Sequence, residues 1–242
     1  MNPNLFDHGF AVLVLGLIFP IGGWWAWQRF LKHLAEHGDV VLVREYQVTL
    51  IWQAALLACP LLLWWTAGRP FASLGFAPLR GGAQDQFVTG ICIGALIALV
   101  VRPILSAFSA RYRASMRKGF AKLIPLLPRT RQQLFWALIV SLAAGTCEEV
   151  AYRGFLIPWL GSFSSGWWPL ILSAAMFGFA HLYQGVLGTL VTAAIGAGLG
   201  YVYVVTGSLA LPMLLHVAID VSAMVTAYFV LRPEPGEAPQ PG

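Results

Sequence analysis

Long apolar runs alternate with short polar segments along most of the chain. A helix that crosses the hydrocarbon core of a bilayer needs about 20 apolar residues. Seven runs approach this length, and they cover residues 10–27, 48–66, 87–108, 134–160, 167–182, 186–205 and 209–231. The pattern predicts an all-α fold, a polytopic bundle of about seven transmembrane helices. An eighth span follows if a half-length segment within residues 111–131 also crosses the bilayer.

The composition points to the same environment. Of the 242 residues, 58% are hydrophobic and only 10% are charged, and the mean hydropathy is +0.73. A typical soluble domain has about 25% charged residues. So few charges cannot cover a water-facing surface, so the lipid bilayer must solvate most of the exterior. We expect a multi-pass integral membrane protein in the plasma (inner) membrane of a prokaryote.

Basic residues concentrate in the third loop between the predicted spans. Its members are Arg111, Arg113, Arg117, Lys118, Lys122, Arg129 and Arg131. Short loops rich in Lys and Arg stay in the cytoplasm, so this loop is predicted to be cytoplasmic, with the N-terminus outside and the C-terminus inside. The net charge of +5 is then explained by anionic lipid headgroups, and no nucleic-acid partner is expected.

Six ionisable side chains stand within the last four apolar runs. They are Glu148, Glu149, Arg153, His181, His216 and Asp220. A charge at the bilayer centre costs about 2.5–3.5 kcal/mol, so such residues persist by pairing, by lining a wet cavity or by doing chemistry. Glu149 and Arg153 are four residues apart on one helix and can pair, as are His216 and Asp220. Glu148 has no cation near it in sequence.

The helical rise tests whether these side chains can meet. Glu148 and His181 fall roughly 18 and 21 Å below the turn that joins their helices, whereas His216 falls roughly 10 Å below the same end. The first two depths match within one turn, and His216 is about two turns away. One cluster is therefore geometrically possible.

Two histidines and several carboxylates around one point support two hydrolytic mechanisms. In the first, His181, His216 and Glu148 bind a divalent metal such as Zn²⁺, which acidifies its bound water. In the second, Glu148 takes a proton from water and a histidine stabilises the oxyanion. Two other interpretations stay open: a purely structural role in helix packing, and the proton relay of a proton-coupled transporter.

Three short motifs occur in order in the second half of the chain. Residues 148–153 read E-E-V-A-Y-R, residues 177–181 read F-G-F-A-H, and residues 216–220 read H-V-A-I-D. In this order and spacing they resemble the E-E-x-x-x-R, F-x-x-x-H and H-x-x-x-N/D motifs of the CPBP family. This family comprises the CAAX prenyl endopeptidases and bacteriocin-processing intramembrane proteases, also called Abi proteins. The resemblance covers about residues 134–231.

The resemblance implies an intramembrane endopeptidase that acts on membrane-anchored proteins or peptides. It assigns Glu148 as the general base, Glu149 and Arg153 as its support, and His181, His216 and Asp220 as the groups that hold the water, a metal or the oxyanion. The family is described both as metalloproteases and as glutamate-dependent enzymes. An alternative function is a non-catalytic immunity or scaffold protein of the same fold.

The predicted helices, the basic loop and the motif region divide the chain into three parts. Residues 1–132 form N-terminal helices and the basic cytoplasmic loop, and residues 133–231 form the CPBP-like catalytic bundle. Residues 232–242 are rich in Pro and Gly and are predicted to be disordered. The sequence gives no prediction of the oligomeric state.

Overall fold

The computed structural model describes residues 1–79, 81–120 and 124–231. Throughout these ranges the regular structure is helical and no strand occurs, so the predicted all-α fold is confirmed. The predicted disordered tail 232–242 lies outside the described residues, as do Arg80 and the loop residue Lys122.

We number the helices α1 to α8 in chain order. Helix α1 is continuous through three segments, Leu5–Gly9, the π-helical Phe10–Ile18 and Phe19–His37, and α5 through Arg131–Glu149, the π-helical Val150–Leu156 and Ile157–Leu160. The others are α2 (Val41–Thr66), α3 (Ala83–Phe108), α4 (Ala110–Phe120), α6 (Trp168–Phe179), α7 (Gly185–Thr206) and α8 (Ala210–Leu231). Short 3-10 turns occupy Gly38–Val40, Phe71–Leu74, Ile124–Leu126 and Leu182–Gln184.

Five stretches of the described chain are long and apolar enough to cross a membrane. They are Leu5–Thr66, Ala83–Phe108, Arg131–Leu160, Leu182–Thr206 and Ala210–Leu231. The first stretch reverses at Gly38, whose φ of 69° ends α1, so it supplies two helices. Large apolar side chains such as Ile51, Trp65 and Val186 point outward from these helices. The chain is a multi-pass integral membrane protein, as its composition predicts.

Two predicted segments differ from a full span. The run at 167–182 forms only the 12-residue helix α6, after which the chain turns back through Leu182–Gln184 into α7. A span needs about 20 residues, so α6 stops inside the bundle. The half-length segment within 111–131 forms α4, whose 11 residues carry Arg111, Arg113 and Arg117. A helix so short and basic cannot cross the hydrocarbon core.

The main core joins the N-terminal helices to α5. Its buried members include Phe10 and Leu15 of α1, Leu56 of α2, and Phe155 and Leu156 of α5. The Phe10 and Phe155 rings pack edge to face with their centroids 4.9 Å apart. Helices α1 and α2 therefore hold α5 from one side, while α7 and α8 pack around it from the other.

Polar contacts join helix ends and loops at both ends of the bundle. At one end Arg129 forms an ion pair with Asp39 at 2.5 Å, and Arg117 donates to the Val230 carbonyl at 3.1 Å. At the opposite end Arg69 pairs with the buried Asp7 at 2.6 Å. The turn Gly38–Val40, the third loop and the C-terminal end of α8 thus lie at the same end of the bundle. This agrees with the prediction that the basic third loop and the C-terminus lie on one side of the membrane.

Helices α5 and α8 approach closely at Gly145. A Cβ atom there would lie 2.6 Å from the backbone nitrogen of Val217 and 2.5 Å from its Cγ2 atom. Real Cβ atoms essentially never approach other atoms so closely. The absence of a side chain at Gly145 therefore sets the distance between the helix that carries Glu148 and the helix that carries His216.

We expect Gly145→Ala to lower the free energy of unfolding by about 1–3 kcal/mol, because the added methyl group overpacks this contact. Thermal unfolding of the purified protein in detergent measures the change. The matched control is Gly90→Ala in α3, where an added Cβ would meet nothing within 4 Å. Equal stability of the two variants would contradict the close contact between α5 and α8.

Candidate functional site

Glu148 and Glu149 occupy the end of the α-helical segment of α5, directly before its π-helical segment. Successive residues of a helix point about 100° apart, so the two carboxylates face different neighbours. Both are buried, Glu148 at 8% exposure and Glu149 at 0%. Short π-helical segments within α-helices are frequent at functional sites.

Glu149 is the centre of a buried ionic network. Its Oε1 atom accepts hydrogen bonds from Arg153 Nη1 at 2.7 Å and from His216 Nδ1 at 2.7 Å. Arg153 in turn donates from Nη2 to the Gly196 carbonyl at 3.0 Å and lies 4.4 Å from the centroid of the Phe177 ring. The guanidinium is thus held by an anion, a carbonyl and an aromatic face, and this offsets the cost of its burial.

Gly196 of α7 is part of this network because it leaves space for the Arg153 guanidinium. A Cβ atom at Gly196 would lie 2.9 Å from Phe177 Cδ1 and 3.2 Å from Arg153 Nη2. A larger residue would therefore push the guanidinium away from Glu149.

Glu148 faces α2 with one oxygen and α8 with the other. Its Oε1 atom accepts a hydrogen bond from Gln53 Nε2 at 2.6 Å. Its Oε2 atom is buried, has no hydrogen-bond partner among the described residues and lies 4.0 Å from His216 Nε2. This gap exceeds a direct hydrogen bond, and one water molecule or a substrate oxygen can bridge such a distance.

Asp220 lies on the outer side of the same gap. Its Oδ2 atom is 3.7 Å from His216 Nε2, and 32% of its side chain is exposed. Because Nδ1 of His216 is bound to Glu149, Nε2 is the ring nitrogen that faces both Glu148 and Asp220. The imidazole is therefore oriented with Nε2 between the two carboxylates.

His181 lies two residues beyond the end of α6, at the edge of the cluster. Its Nδ1 atom is 2.8 Å from the Phe177 carbonyl, and its ring lies 4.9 Å from the Phe177 ring. The Phe177 ring also packs against the His216 ring at 5.8 Å. Among the described residues, no hydrogen bond or ion pair joins His181 to Glu148, His216 or Asp220. The structure thus brings five predicted residues into direct polar contact or within 4.0 Å of one another. It places His181 at the edge of this cluster, in ring contact with Phe177.

The described side chains do not form a metal site in this arrangement. Among them, no three His, Cys, Asp or Glu residues converge as ligands. His216 directs Nδ1 to Glu149, and its Nε2 lies 3.7–4.0 Å from the nearest carboxylate oxygens of Asp220 and Glu148. The hypothesis that His181, His216 and Glu148 bind zinc stays a prediction.

Three residues without a predicted role belong to the site: Gln53, Gly196 and Phe177, the first residue of the second motif. Gln53 is a polar amide inside the apolar run 48–66, and this signal was available in the sequence. Because 95 residues separate Gln53 from Glu148 in the sequence, spacing alone does not predict their contact. The expectation that His216 lies two turns from the glutamates was wrong, because it took Leu209 to be level with Leu160. A Cβ at Gly154 would lie 3.3 Å from Leu209 Cδ1, so α8 begins deeper in the bundle, near Gly154.

Comparison with known families agrees with the motifs. Residues 130–222 match the sequence model of a family described as Type II CAAX prenyl endopeptidase Rce1-like. The matched region contains all six predicted site residues and covers less than half of the chain. It confirms the resemblance to the CPBP family. No curated protein and no solved structure shows significant similarity to the chain.

Removal of Arg153 leaves the buried Glu149 carboxylate without its cation. We expect Arg153→Met to cost about 3–5 kcal/mol of stability, as is typical when one partner of a buried ion pair is removed. The matched control is Lys32→Met, which breaks an exposed pair with Glu36 at the same four-residue spacing. Chemical denaturation in detergent compares the two variants, and similar small losses would show that the Glu149–Arg153 pair is not a structural requirement.

Proposed function

We propose that this chain is an intramembrane endopeptidase in which Glu148 activates a water molecule. One observation carries the proposal: Glu148 Oε2 is buried, lacks a hydrogen-bond donor among the described residues and faces His216 Nε2 across 4.0 Å. Glu149 Oε2 is also buried and unpaired among the described residues, so an unpaired oxygen alone does not identify the base. The Glu148 oxygen differs because a ring nitrogen lies opposite it across a gap that one water molecule can bridge.

The proposed hydrolysis uses the gap between Glu148 and His216. A water molecule between Glu148 and His216 attacks the carbonyl carbon of the scissile peptide, and Glu148 Oε2 takes its proton. His216 Nε2, when protonated, donates a hydrogen bond to the resulting oxyanion. Glu148 then returns the proton to the nitrogen of the leaving amine, the C–N bond breaks, and the free carboxylate form of Glu148 is restored.

Glu149 and Arg153 position His216. Glu149 accepts from Nδ1 and so fixes the ring with Nε2 toward the reacting atoms, in the way that a buried carboxylate orients a catalytic histidine. Arg153 balances the charge of Glu149 through an ion pair at 2.7 Å. In this division of roles Glu149 acts through His216, and Glu148 acts on the substrate.

Asp220 and His181 serve the two edges of the site. Asp220 is partly exposed beside His216 Nε2, and its carboxylate can hold the attacking water. His181 is fixed through its Nδ1 by the Phe177 carbonyl, so Nε2 is the nitrogen that it can offer to a bound substrate.

The substrate class follows from the setting and from the family description. A site on transmembrane helices is reached by peptides that are themselves anchored in the bilayer. The matched family is described as type II CAAX prenyl endopeptidase. In a prenylated CAAX sequence, a lipid on the cysteine holds the C-terminal peptide at the membrane. We therefore propose lipid- or helix-anchored protein and peptide substrates, with prenylated C-termini as the first class to test.

The role of Glu148 is tested with protein reconstituted in liposomes. The probes are a farnesylated peptide that ends in a C-a-a-X sequence and the same peptide anchored by a transmembrane helix. We expect Glu148→Gln to lower cleavage by about 100- to 10,000-fold, because the amide keeps the shape but cannot take a proton. The control is Glu36→Gln on the exposed face of α1. Wild-type rates in Glu148→Gln, or no cleavage of either peptide by the wild type, would contradict the proposal.

The mechanism uses protein groups alone, so metal removal should leave it intact. We expect cleavage of the same peptides to be unchanged after exhaustive treatment with a membrane-permeant chelator, with the metal content checked by mass spectrometry. If activity disappeared on chelation and returned with Zn²⁺, the metal-dependent mechanism would replace the one proposed.

A further inference from the structure

Gln53 lies on the inward face of α2. The buried residues of this helix are Leu42, Tyr46, Gln53, Leu56, Pro60 and Trp64. Their spacing places them along one helical face. The preceding residues Ile51 and Trp52 are 70% and 55% exposed and face outward. Gln53 therefore faces the bundle, at the level where α2 packs against α5.

The amide of Gln53 determines which oxygen of Glu148 is free. Gln53 Nε2 donates to Glu148 Oε1 at 2.6 Å, and both side chains are buried. A hydrogen bond to an ionised carboxylate is stronger than one between neutral groups. The bond occupies Oε1 and leaves Oε2 as the oxygen that faces His216.

Packing alone does not explain an amide at this position. Gln53 is 6% exposed, and its Oε1 atom has no hydrogen-bond partner within the described ranges. An apolar side chain of similar length would fill the same space without leaving a buried acceptor unpaired. Departures of this kind from ordinary packing concentrate at functional sites.

We propose that Gln53 is a positioning residue, which holds the Glu148 carboxylate in the orientation needed to take a proton from water. The inference rests on the proposed function of Glu148. Gln53 lies outside the matched region 130–222, so the N-terminal helices supply part of the catalytic geometry as well as packing.

Gln53→Met tests this role, because methionine is close in size to glutamine and cannot donate. With the liposome-bound farnesylated peptide, we expect kcat to fall about 10- to 100-fold while KM stays within twofold of wild type. The unfolding midpoint should fall by only a few degrees, because one buried acceptor loses its donor. The matched control is Thr49→Val, one turn earlier on α2. Thr49 bonds to the Glu45 carbonyl of its own helix, so its loss should leave kcat unchanged.

Two further measurements separate positioning from a structural effect. Gln53→Met should shift the infrared carboxylate bands of Glu148, which are identified by their loss in Glu148→Gln and need no substrate. When added to Glu148→Gln, it should lower the residual rate no further, because it acts through that carboxylate.

The possible outcomes distinguish this inference from the proposed function. Unshifted Glu148 bands, or a kcat of Gln53→Met within twofold of wild type, would overturn the role of Gln53 while an inactive Glu148→Gln upheld the function. A fully active Glu148→Gln variant would overturn both.

Discussion

The rest of the site depends on the contacts that the buried Glu149 carboxylate makes with Arg153 and His216. Glu149 is 0% exposed, and its Oε1 atom accepts bonds from Arg153 on the same helix and from His216 on α8. Arg153 extends the network to the Gly196 carbonyl on α7 and the Phe177 ring on α6. An isolated charge is expensive inside a membrane-spanning bundle, so each partner stabilises the others. This network joins four helices and fixes the histidine ring that faces Glu148.

Helix periodicity gives two adjacent glutamates different environments. Glu149 points toward a cation and a histidine, so its Oε1 atom is fully engaged. Glu148 points toward the amide of Gln53 and keeps one buried oxygen directed at His216 Nε2. Glu149 thus has a structural role, whereas the adjacent Glu148 is the proposed base. Chemistry inside the bilayer requires both, because a reactive carboxylate needs a rigid and nearly dry setting.

The sequence predicted the features that depend on local spacing. Apolar run lengths gave the helical membrane fold, the four-residue spacing gave the Glu149–Arg153 pair, and three ordered motifs gave the family resemblance. Features that depend on tertiary contacts could not be predicted from the sequence. The short helix α6 reads as a span because its apolar run continues into the turn after Phe179. Gln53 carries no charge and lies 95 residues from its partner. The direct bond between Glu149 and His216 depends on the close contact of α5 and α8 at Gly145, which no single motif encodes.

The central claim is that these side chains cut membrane-anchored substrates in the cell. Terminal proteomics of membranes from cells that express either wild-type protein or Glu148→Gln, at equal levels, tests it most directly. The account predicts that the variant accumulates a defined set of membrane-anchored proteins with uncut ends, whose cleaved forms are present in the wild type. Identical protein termini in the two membranes would contradict it.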